Sequence, residues 1–153
     1  MTEIEAAARS DDGLDALRAA ISDCRLCVDG PARGPQDRLP HLPRPVAILS
    51  RKARILIAGQ APGLRVHESG LPFDDASGDR LRGWLVVTRE AFYDRDRFAI
   101  VPMGFCFPGY DAKGSDLPPR RECAPLWRRP VIDAMPQVEL VLAIGQYAQA
   151  WHL

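Results

Sequence analysis

This sequence has no long hydrophobic run, no excess of charge of either sign, and no basic start followed by an apolar stretch. The longest apolar runs are short, as at residues 140–144, which excludes a membrane-spanning helix. The 20 basic and 20 acidic residues cancel, unlike the balance in proteins that coat nucleic acid non-specifically. The acidic start, residues 1–5, is not a secretory signal. We therefore expect a cytoplasmic protein with no membrane partner.

The length of 153 residues suits one domain with its own core and is short for two. Hydrophobic residues make up 46% of the chain and charged residues 26%, which is typical of a folded protein rather than a disordered one. We expect a monomer with a single domain over residues 1–153. Residues 1–50 would form an N-terminal helix and a proline-rich loop, and residues 51–153 an α/β core.

The hydrophobic pattern predicts helices that alternate with strands. Buried strands are predicted over residues 53–58, 98–101 and 138–144. Helices are predicted over residues 11–24, 79–90, 121–135 and from residue 146. The second helix would bury a stripe made of Leu81, Trp84 and Leu85. Such alternation is typical of a parallel sheet with helices on both faces, a three-layer α/β/α sandwich.

The sequence stops soon after its last predicted helix begins, at residue 146. In a parallel sheet such a helix normally leads back to another strand. We therefore expect either an unusually small domain or a C-terminal strand that this sequence lacks.

The four cysteines form a pattern typical of a metal centre. Cys24 and Cys27 make a Cys-x-x-Cys pair at a helix end, and Cys106 and Cys123 follow a strand and begin a helix. In a cytosolic chain four cysteines favour metal ligands over disulfides, and buried free thiols are the alternative. The spacing does not choose between a tetrahedral zinc site and a four-iron cluster.

Four stretches then occur in an order that points to a known family. They are the Cys24-x-x-Cys27 pair, the turn Gly-Gln-Ala-Pro-Gly at residues 59–63, the segment Gly-Leu-Pro-Phe-Asp-Asp-Ala-Ser-Gly-Asp at residues 70–79, and Cys106-x-Pro108 with Cys123-x-Pro125. Together, over about residues 20–150, they resemble the iron–sulfur uracil-DNA glycosylases, the fourth and fifth families of the uracil-DNA glycosylase superfamily.

The resemblance implies a base-excision-repair enzyme. It would hydrolyse the N-glycosidic bond of uracil, or of a related deaminated base, so its partner would be uracil-containing DNA. The resemblance also favours a structural [4Fe–4S] cluster over zinc, held by Cys24, Cys27, Cys106 and Cys123. The arginines that would contact phosphates, or else are solvated surface residues, are Arg65, Arg80, Arg82, Arg120 and Arg121.

Three residues are the candidate catalytic groups. Asp75, directly before residues 76–78, best matches the fifth family's aspartate and would stabilise a sugar cation and activate water. Its alternative role is to cap the following helix. Gln60 stands where the fourth family has an acid, and it would contact the base or a flanking phosphate. His67, in the loop after the turn, would position a water or contact DNA, or has no role. Two neighbouring candidate carboxylates are Asp74 and Asp79.

Five residues are the candidate substrate-binding groups. Phe73 matches the aromatic on which the family stacks uracil, although core packing is the commoner fate of phenylalanine. Gly59, Gln60, Ala61 and Gly63 would lie at the carboxyl end of a strand, where α/β proteins bind ligands. The alternative for these four is a tight turn with no further role.

Two features depart from the family pattern and keep other functions open. The superfamily's last motif, a His-Pro-Ser type loop that helps the departing base carry charge, is not in this sequence. Pro102 stands where the family often has an asparagine that reads the uracil edge. The first rival is a catalytically silent iron–sulfur or zinc module that binds nucleic acid or a protein. The second is a small nucleotide-binding protein, although residues 59–63 lack the lysine and hydroxyl of a P-loop.

Overall fold

The structure is a computed structural model that describes residues 11–153. The helices are α1 Asp11–Ser22, α2 Leu26–Asp29, α3 Leu64–Ser69, α4 Ala76–Leu85, α5 Arg89–Phe92, α6 Cys123–Asp133 and α7 Gln146–His152, with a 3-10 turn at Pro35–Asp37. The strands are β1 Ile55–Ala58, β2 Phe98–Ile100 and β3 Leu140–Ala143. Within residues 11–153, no helix has both the length and the apolar character needed to cross a bilayer.

The three strands form one parallel sheet in the order β2-β1-β3. Ile57 of β1 pairs with Ile100 of β2 on one side and with Leu142 of β3 on the other. Because all three strands run in the same direction, the residues that follow them meet at one edge of the sheet. This carboxyl edge is where α/β proteins bind their ligands.

Helices cover both faces of the sheet, which confirms the predicted α/β/α sandwich. Leu56 belongs to a buried cluster shared with α1 and α6, whereas the next residue, Ile57, belongs to a second cluster shared with α4 and α5. Successive side chains of a strand point to opposite faces, so each strand joins both layers. The predicted single domain also includes residues 1–10, which lie outside the described residues, and so stays a prediction.

The region predicted as one helix over residues 79–90 contains two, α4 and α5. Helix α4 ends at Val86, whose φ of 55° is left-handed, and Thr88 then caps α5 by accepting a hydrogen bond from the Ala91 N–H (3.1 Å). Leu81 is buried as predicted, but Trp84 is 73% exposed. The predicted core position of Trp84 is wrong because α4 borders a cavity there instead of packing on another helix.

Two other predictions about elements are also wrong. The run at residues 138–144 was expected to be a buried strand, but β3 is half-buried and half of the Leu140 surface is exposed. It lies at the edge of the sheet, and within the described chain only β1 pairs with it. The segment predicted as a loop around His67 is helix α3. Helix α6 has Pro125 in its first turn, where proline is tolerated, and continues through Pro130 to Asp133.

Candidate active site

A cavity of about 300 Å³ opens at the carboxyl edge of the sheet. Each strand contributes a residue within two positions of its carboxyl end, Gly59 after β1, Pro102 after β2, and Gly145 after β3. The cavity brings together six of the residues singled out in the sequence, namely Gly59, Gln60, Ala61, Gly63, Phe73 and Asp75. A volume of this size lies at the small end of the range of ligand pockets.

The turn after β1 is fixed by the turn after β2. The carbonyl oxygens of Gly59 and Gln60 accept hydrogen bonds from the backbone N–H groups of Met103 (2.9 Å) and Gly104 (3.0 Å). The ring of Phe73 lies against Gly59, since a Cβ at position 59 would come within 3.2 Å of its Cζ atom. Glycine at position 59 therefore lets an aromatic ring approach the strand end closely.

Phe73 adopts a backbone conformation that is rare for a bulky residue, with φ of 59°. Its carbonyl oxygen accepts a hydrogen bond from Arg82 Nη1 (3.1 Å), and the Tyr93 hydroxyl donates to the neighbouring Pro72 carbonyl (2.6 Å). Gly78 packs so closely that a Cβ there would lie 1.8 Å from the Phe73 oxygen. Strain that is held in place by several partners is common at functional sites.

Arg82 supports this turn from inside the protein. Its side chain is 6% exposed, and its Nη2 pairs with Asp79 (2.8 Å). Its guanidinium also lies over the rings of Phe92 (5.1 Å) and Tyr93 (5.6 Å). Burial raises the pKa of the Tyr93 hydroxyl, so it stays protonated and can donate to the turn. Arg82 was considered a phosphate contact or a solvated residue, but its donors are used inside the fold.

Asp75 caps α4 and also lines the cavity. Its Oδ1 accepts hydrogen bonds from the Gly78 N–H (2.9 Å) and from the Ser77 hydroxyl (2.6 Å). Its other oxygen, Oδ2, accepts no hydrogen bond from any residue in the described chain. The predicted cap is therefore confirmed, and it leaves one carboxylate oxygen available to a ligand.

Asp74 occupies a different environment, although it is the next residue. It does not line the cavity, and Arg89 Nη2 binds its Oδ1 at 2.8 Å. The hydrogen bond from Arg89 holds the pKa of Asp74 below its usual range. Asp74 thus forms an ion pair that joins the Phe73 turn to α5, and a substitution at Asp74 is a suitable control for one at Asp75.

The polar side chains that face the cavity are few, and Gln60 is the one contributed by the strand end. Its Oε1 lies near Gly145, where a Cβ would approach it to 3.3 Å. Pro102 lines the same cavity at the position where the family often has an asparagine. A proline offers no side-chain amide and no N–H. Gln60 is therefore the one side-chain amide among the described residues that line this cavity.

His67 is a candidate that does not line this cavity. Its ring packs against His41 (4.8 Å between centroids) and Phe107 (5.8 Å). Its Nδ1 is buried and has no hydrogen-bond partner among residues 11–153. Burial, followed by the charges of His41 and Arg44, lowers the pKa of His67, which favours the neutral ring. A catalytic role for His67 stays a prediction that its position does not favour.

The four cysteines come together at a second site, which shares no lining residue with the cavity at the carboxyl edge of the sheet. Cys24 follows α1, Cys27 lies in α2, Cys106 lies in the loop after β2, and Cys123 begins α6, yet all four line one small cavity. The sequence places them up to a hundred residues apart. Their convergence is the arrangement expected if they bind one centre.

The surroundings of these sulfur atoms suit ligands of a buried centre. Trp127 Nε1 donates to Cys24 Sγ and the Phe105 N–H donates to Cys123 Sγ, both at 3.4 Å. Burial raises the pKa of the Cys106 thiol to about 12, with nearby Cys27 adding to the effect, so its thiolate form would need the positive charge of a bound centre. Within residues 11–153, no three or more His, Cys, Asp or Glu side chains are arranged to hold a single metal ion.

Two residues that line the active-site cavity were not recognised from the sequence as neighbours. Arg80 and Trp84 lie one turn apart on α4, and both are exposed. Arg80 was one of five possible phosphate contacts, and Trp84 was assigned to the core. The spacing of four residues was the signal that could have paired them, since residues four apart share a helix face.

A comparison with protein-family models gives a match to the one described as the uracil DNA glycosylase superfamily, over residues 47–153. The matched part contains the whole sheet and every residue of the active-site cavity except Val46. It also contains Cys106 and Cys123, whereas Cys24 and Cys27 precede it. With most of its length matched and with a parallel α/β/α fold, this chain belongs to the uracil-DNA glycosylase superfamily.

Proposed function

We propose that this protein is a DNA glycosylase that hydrolyses the N-glycosidic bond of uracil, or of a related deaminated base, in base excision repair. Superfamily membership supports a glycosylase in general terms. The cavity itself carries the finer proposal. Phe73 contributes an aromatic ring to it, Gln60 a side-chain amide, and Asp75 a carboxylate oxygen that accepts no hydrogen bond within the described chain.

Base binding comes first, because a glycosylase must take its target base out of the helical stack. Phe73 offers a ring face at the end of β1, and its strained turn fixes that ring before the base arrives. Preorganised contacts cost less on binding than contacts that must be ordered. The Gln60 amide has both a donor and an acceptor for the edge of the base.

Bond cleavage then requires stabilisation of positive charge on the sugar. The C1′–N bond breaks, its electron pair leaves with the base, and a water oxygen bonds to C1′ and gives up a proton. The free Oδ2 of Asp75 can stabilise the cation and accept that proton. Because Oδ1 is held by Ser77 and Gly78, the carboxylate keeps its orientation as charge develops.

The four cysteines are proposed to hold a [4Fe–4S] cluster, and such a cluster would make the protein a member of the iron–sulfur families of the superfamily. In such a cluster each thiolate binds a different iron, so the sulfur atoms need not surround one ion. N–H donors to Cys24 and Cys123 are the partners that tune such clusters. The cluster would cross-link the N-terminal helices to the loop after β2 and to α6, which is a structural role.

The test of the function is release of base from a labelled oligonucleotide that carries one deoxyuridine, followed by alkaline cleavage at the abasic site. Parallel substrates with hypoxanthine, xanthine or a thymine mismatch identify the preferred base. We expect Asp75→Asn to lower the single-turnover rate by about 10²-fold or more, the scale of a lost general base or charge stabiliser. Asparagine is nearly as good a helix cap, so the melting temperature should not change.

Asp74→Asn is the matched control, because it removes a carboxylate of the same turn that binds Arg89 outside the cavity. It should keep a rate close to wild type. If Asp75→Asn keeps the wild-type rate and Asp74→Asn abolishes it, the catalytic assignment is wrong. If no substrate is cleaved by the wild-type protein loaded with its cluster, the protein is a silent nucleic-acid or protein-binding module instead.

A further inference from the structure

Trp84 is a large aromatic side chain that the fold leaves in solvent beside the proposed active site. It is 73% exposed and lines the mouth of the cavity. Within residues 11–153 it has no aromatic or cation–π contact, whereas Trp127 is buried and Trp151 packs against Arg128 and Arg129. An exposed indole at the mouth of a cavity offers a large flat apolar face to a ligand that enters it.

Arg80 lies one helical turn before Trp84 and lines the same cavity. It has no ion pair or hydrogen bond with any residue of the described chain. The nearby carboxylates are otherwise engaged, since Asp74 binds Arg89 and Asp79 binds Arg82. A free guanidinium therefore stands next to a free indole on one helix face.

Arg80 and Trp84 extend the proposed active site along the axis of α4. Helix α4 starts at the Asp75 cap, where the sugar of the target nucleotide is proposed to lie. At a rise of 1.5 Å per residue, Arg80 lies about 7.5 Å and Trp84 about 13.5 Å further along the helix axis than Asp75. A strand that leaves the active site along α4 would thus meet a cation and then an aromatic ring.

We propose that Arg80 and Trp84 form a second nucleotide subsite, in which Arg80 binds the phosphate next to the flipped nucleotide and Trp84 stacks on the neighbouring base. An unpaired cation beside an exposed aromatic ring is how proteins bind single-stranded DNA. The position of this subsite next to a base-binding site rests on the proposed function. A neighbouring base is free to stack on Trp84 only when it is unpaired, so the subsite favours single-stranded substrate.

Binding to oligothymidylate of eight nucleotides, measured by fluorescence anisotropy, tests the subsite without any base release. Trp84→Ala should weaken this binding by about tenfold, the scale of one base stacked on an aromatic ring, and Trp84→Phe should restore most of it. Arg80→Gln should reduce the slope of log affinity against log salt by about 0.7, which is one phosphate contact on a single strand. Arg95→Gln is the control, because Arg95 precedes β2 at the opposite edge of the sheet.

The uracil assay adds a second readout that a merely structural role would not move. Trp84→Ala should raise KM for uracil in single-stranded DNA about tenfold and raise KM for duplex DNA much less, with little change in kcat. If the wild-type protein releases no base but Trp84→Ala still loses tenfold in oligothymidylate binding, the subsite stands and the proposed function fails.

Two outcomes would overturn the subsite while leaving the function intact. In the first, Trp84→Ala and Arg80→Gln bind oligothymidylate and cleave uracil like Arg95→Gln. In the second, Trp84→Ala changes the sedimentation coefficient of the protein at unchanged affinity for DNA. Trp84 would then cover a contact between copies of the chain.

Discussion

Replacing Gly78 with alanine tests whether the turn that carries Phe73 and Asp75 is built as described. A Cβ at position 78 would lie 1.8 Å from the Phe73 carbonyl oxygen, 2.7 Å from its carbonyl carbon and 2.9 Å from its Cβ. Non-bonded carbon atoms rest about 3.5–4.0 Å apart. The clashing atoms belong mainly to the backbone, so no side-chain rotation relieves the contact. Either the Phe73 turn or the first turn of α4 must move.

The magnitude follows from what this movement breaks. Overpacking a well-packed site costs about 1–3 kcal/mol. The Gly78 N–H is also the donor to Asp75, and loss of a helix cap costs about 1 kcal/mol. Alanine gains about 1 kcal/mol over glycine inside a helix, which offsets the cap. We therefore expect Gly78→Ala to lower the free energy of unfolding by about 1–3 kcal/mol, and the melting temperature by about 2–12 °C for a chain of this size.

Gly83→Ala is the matched control, since it makes the same change in the same helix. A Cβ at position 83 would meet nothing within 4 Å, and Gly83 is exposed. Only the higher helix propensity of alanine acts at position 83, so the free energy of unfolding of this variant should rise by about 0.5–1 kcal/mol. Thermal unfolding followed by circular dichroism measures both variants. The uracil assay should show a loss of activity for Gly78→Ala alone, because only that change moves Phe73.

The two variants should change the melting temperature in opposite directions, so comparing them tests the turn directly. If Gly78→Ala melts at or above the wild-type temperature, as Gly83→Ala should, the close approach between Gly78 and Phe73 does not exist. The left-handed conformation of Phe73 and its support by Arg82 would then be wrong. If Gly78→Ala is destabilised but fully active, the turn is correct and Phe73 does not bind the base.

Two further predictions concern the cluster and the pH dependence of folding. Protein purified without oxygen should be brown and hold about four irons per chain, and Cys106→Ser should lose most of that iron; stoichiometric zinc without iron in fresh wild-type protein would contradict the cluster. Burial and the adjacent Arg128 lower the pKa of His152 to about 4, against about 6.5 in an unfolded chain. The neutral His152 side chain therefore contributes fully to stability above about pH 6.5, and this contribution is lost as the pH falls toward 4. His152→Gln should make the urea midpoint fall less steeply with pH over that range. An unchanged dependence of the urea midpoint on pH would refute the assignment.

The general architecture could be predicted because it depends on local patterns. The apolar face of α1, with Leu14, Leu17 and Ile21, is buried as its spacing indicates. The runs that became β1 and β2 are continuous apolar segments, and such segments are buried in parallel sheets. The family resemblance singled out Phe73 for base stacking and Asp75 for catalysis, and both line the cavity at the end of β1.

The details that failed depend on contacts between distant parts of the chain. Periodicity gives Trp84 the same helix face as Leu81, but it does not show where that face meets another element. The sequence gives no sign that Arg82 is buried, because its partners include the Phe73 carbonyl and two aromatic rings, Phe92 at the end of α5 and Tyr93 directly after it. The edge position of β3 likewise depends on strand order, which an apolar run does not specify.

The two roles considered for Asp75, helix cap and catalytic group, turn out to be compatible. Capping uses Oδ1 alone, through the Ser77 hydroxyl and the Gly78 N–H, so Oδ2 remains available. A carboxylate that is already oriented by two donors needs no reorganisation when charge develops on a sugar, which is what makes electrostatic stabilisation effective. Gly78 thereby links both halves of the site, because it holds Asp75 through its N–H and the Phe73 backbone through its lack of a side chain. In the proposed mechanism the cap therefore orients the catalytic carboxylate, and the two roles are not alternatives.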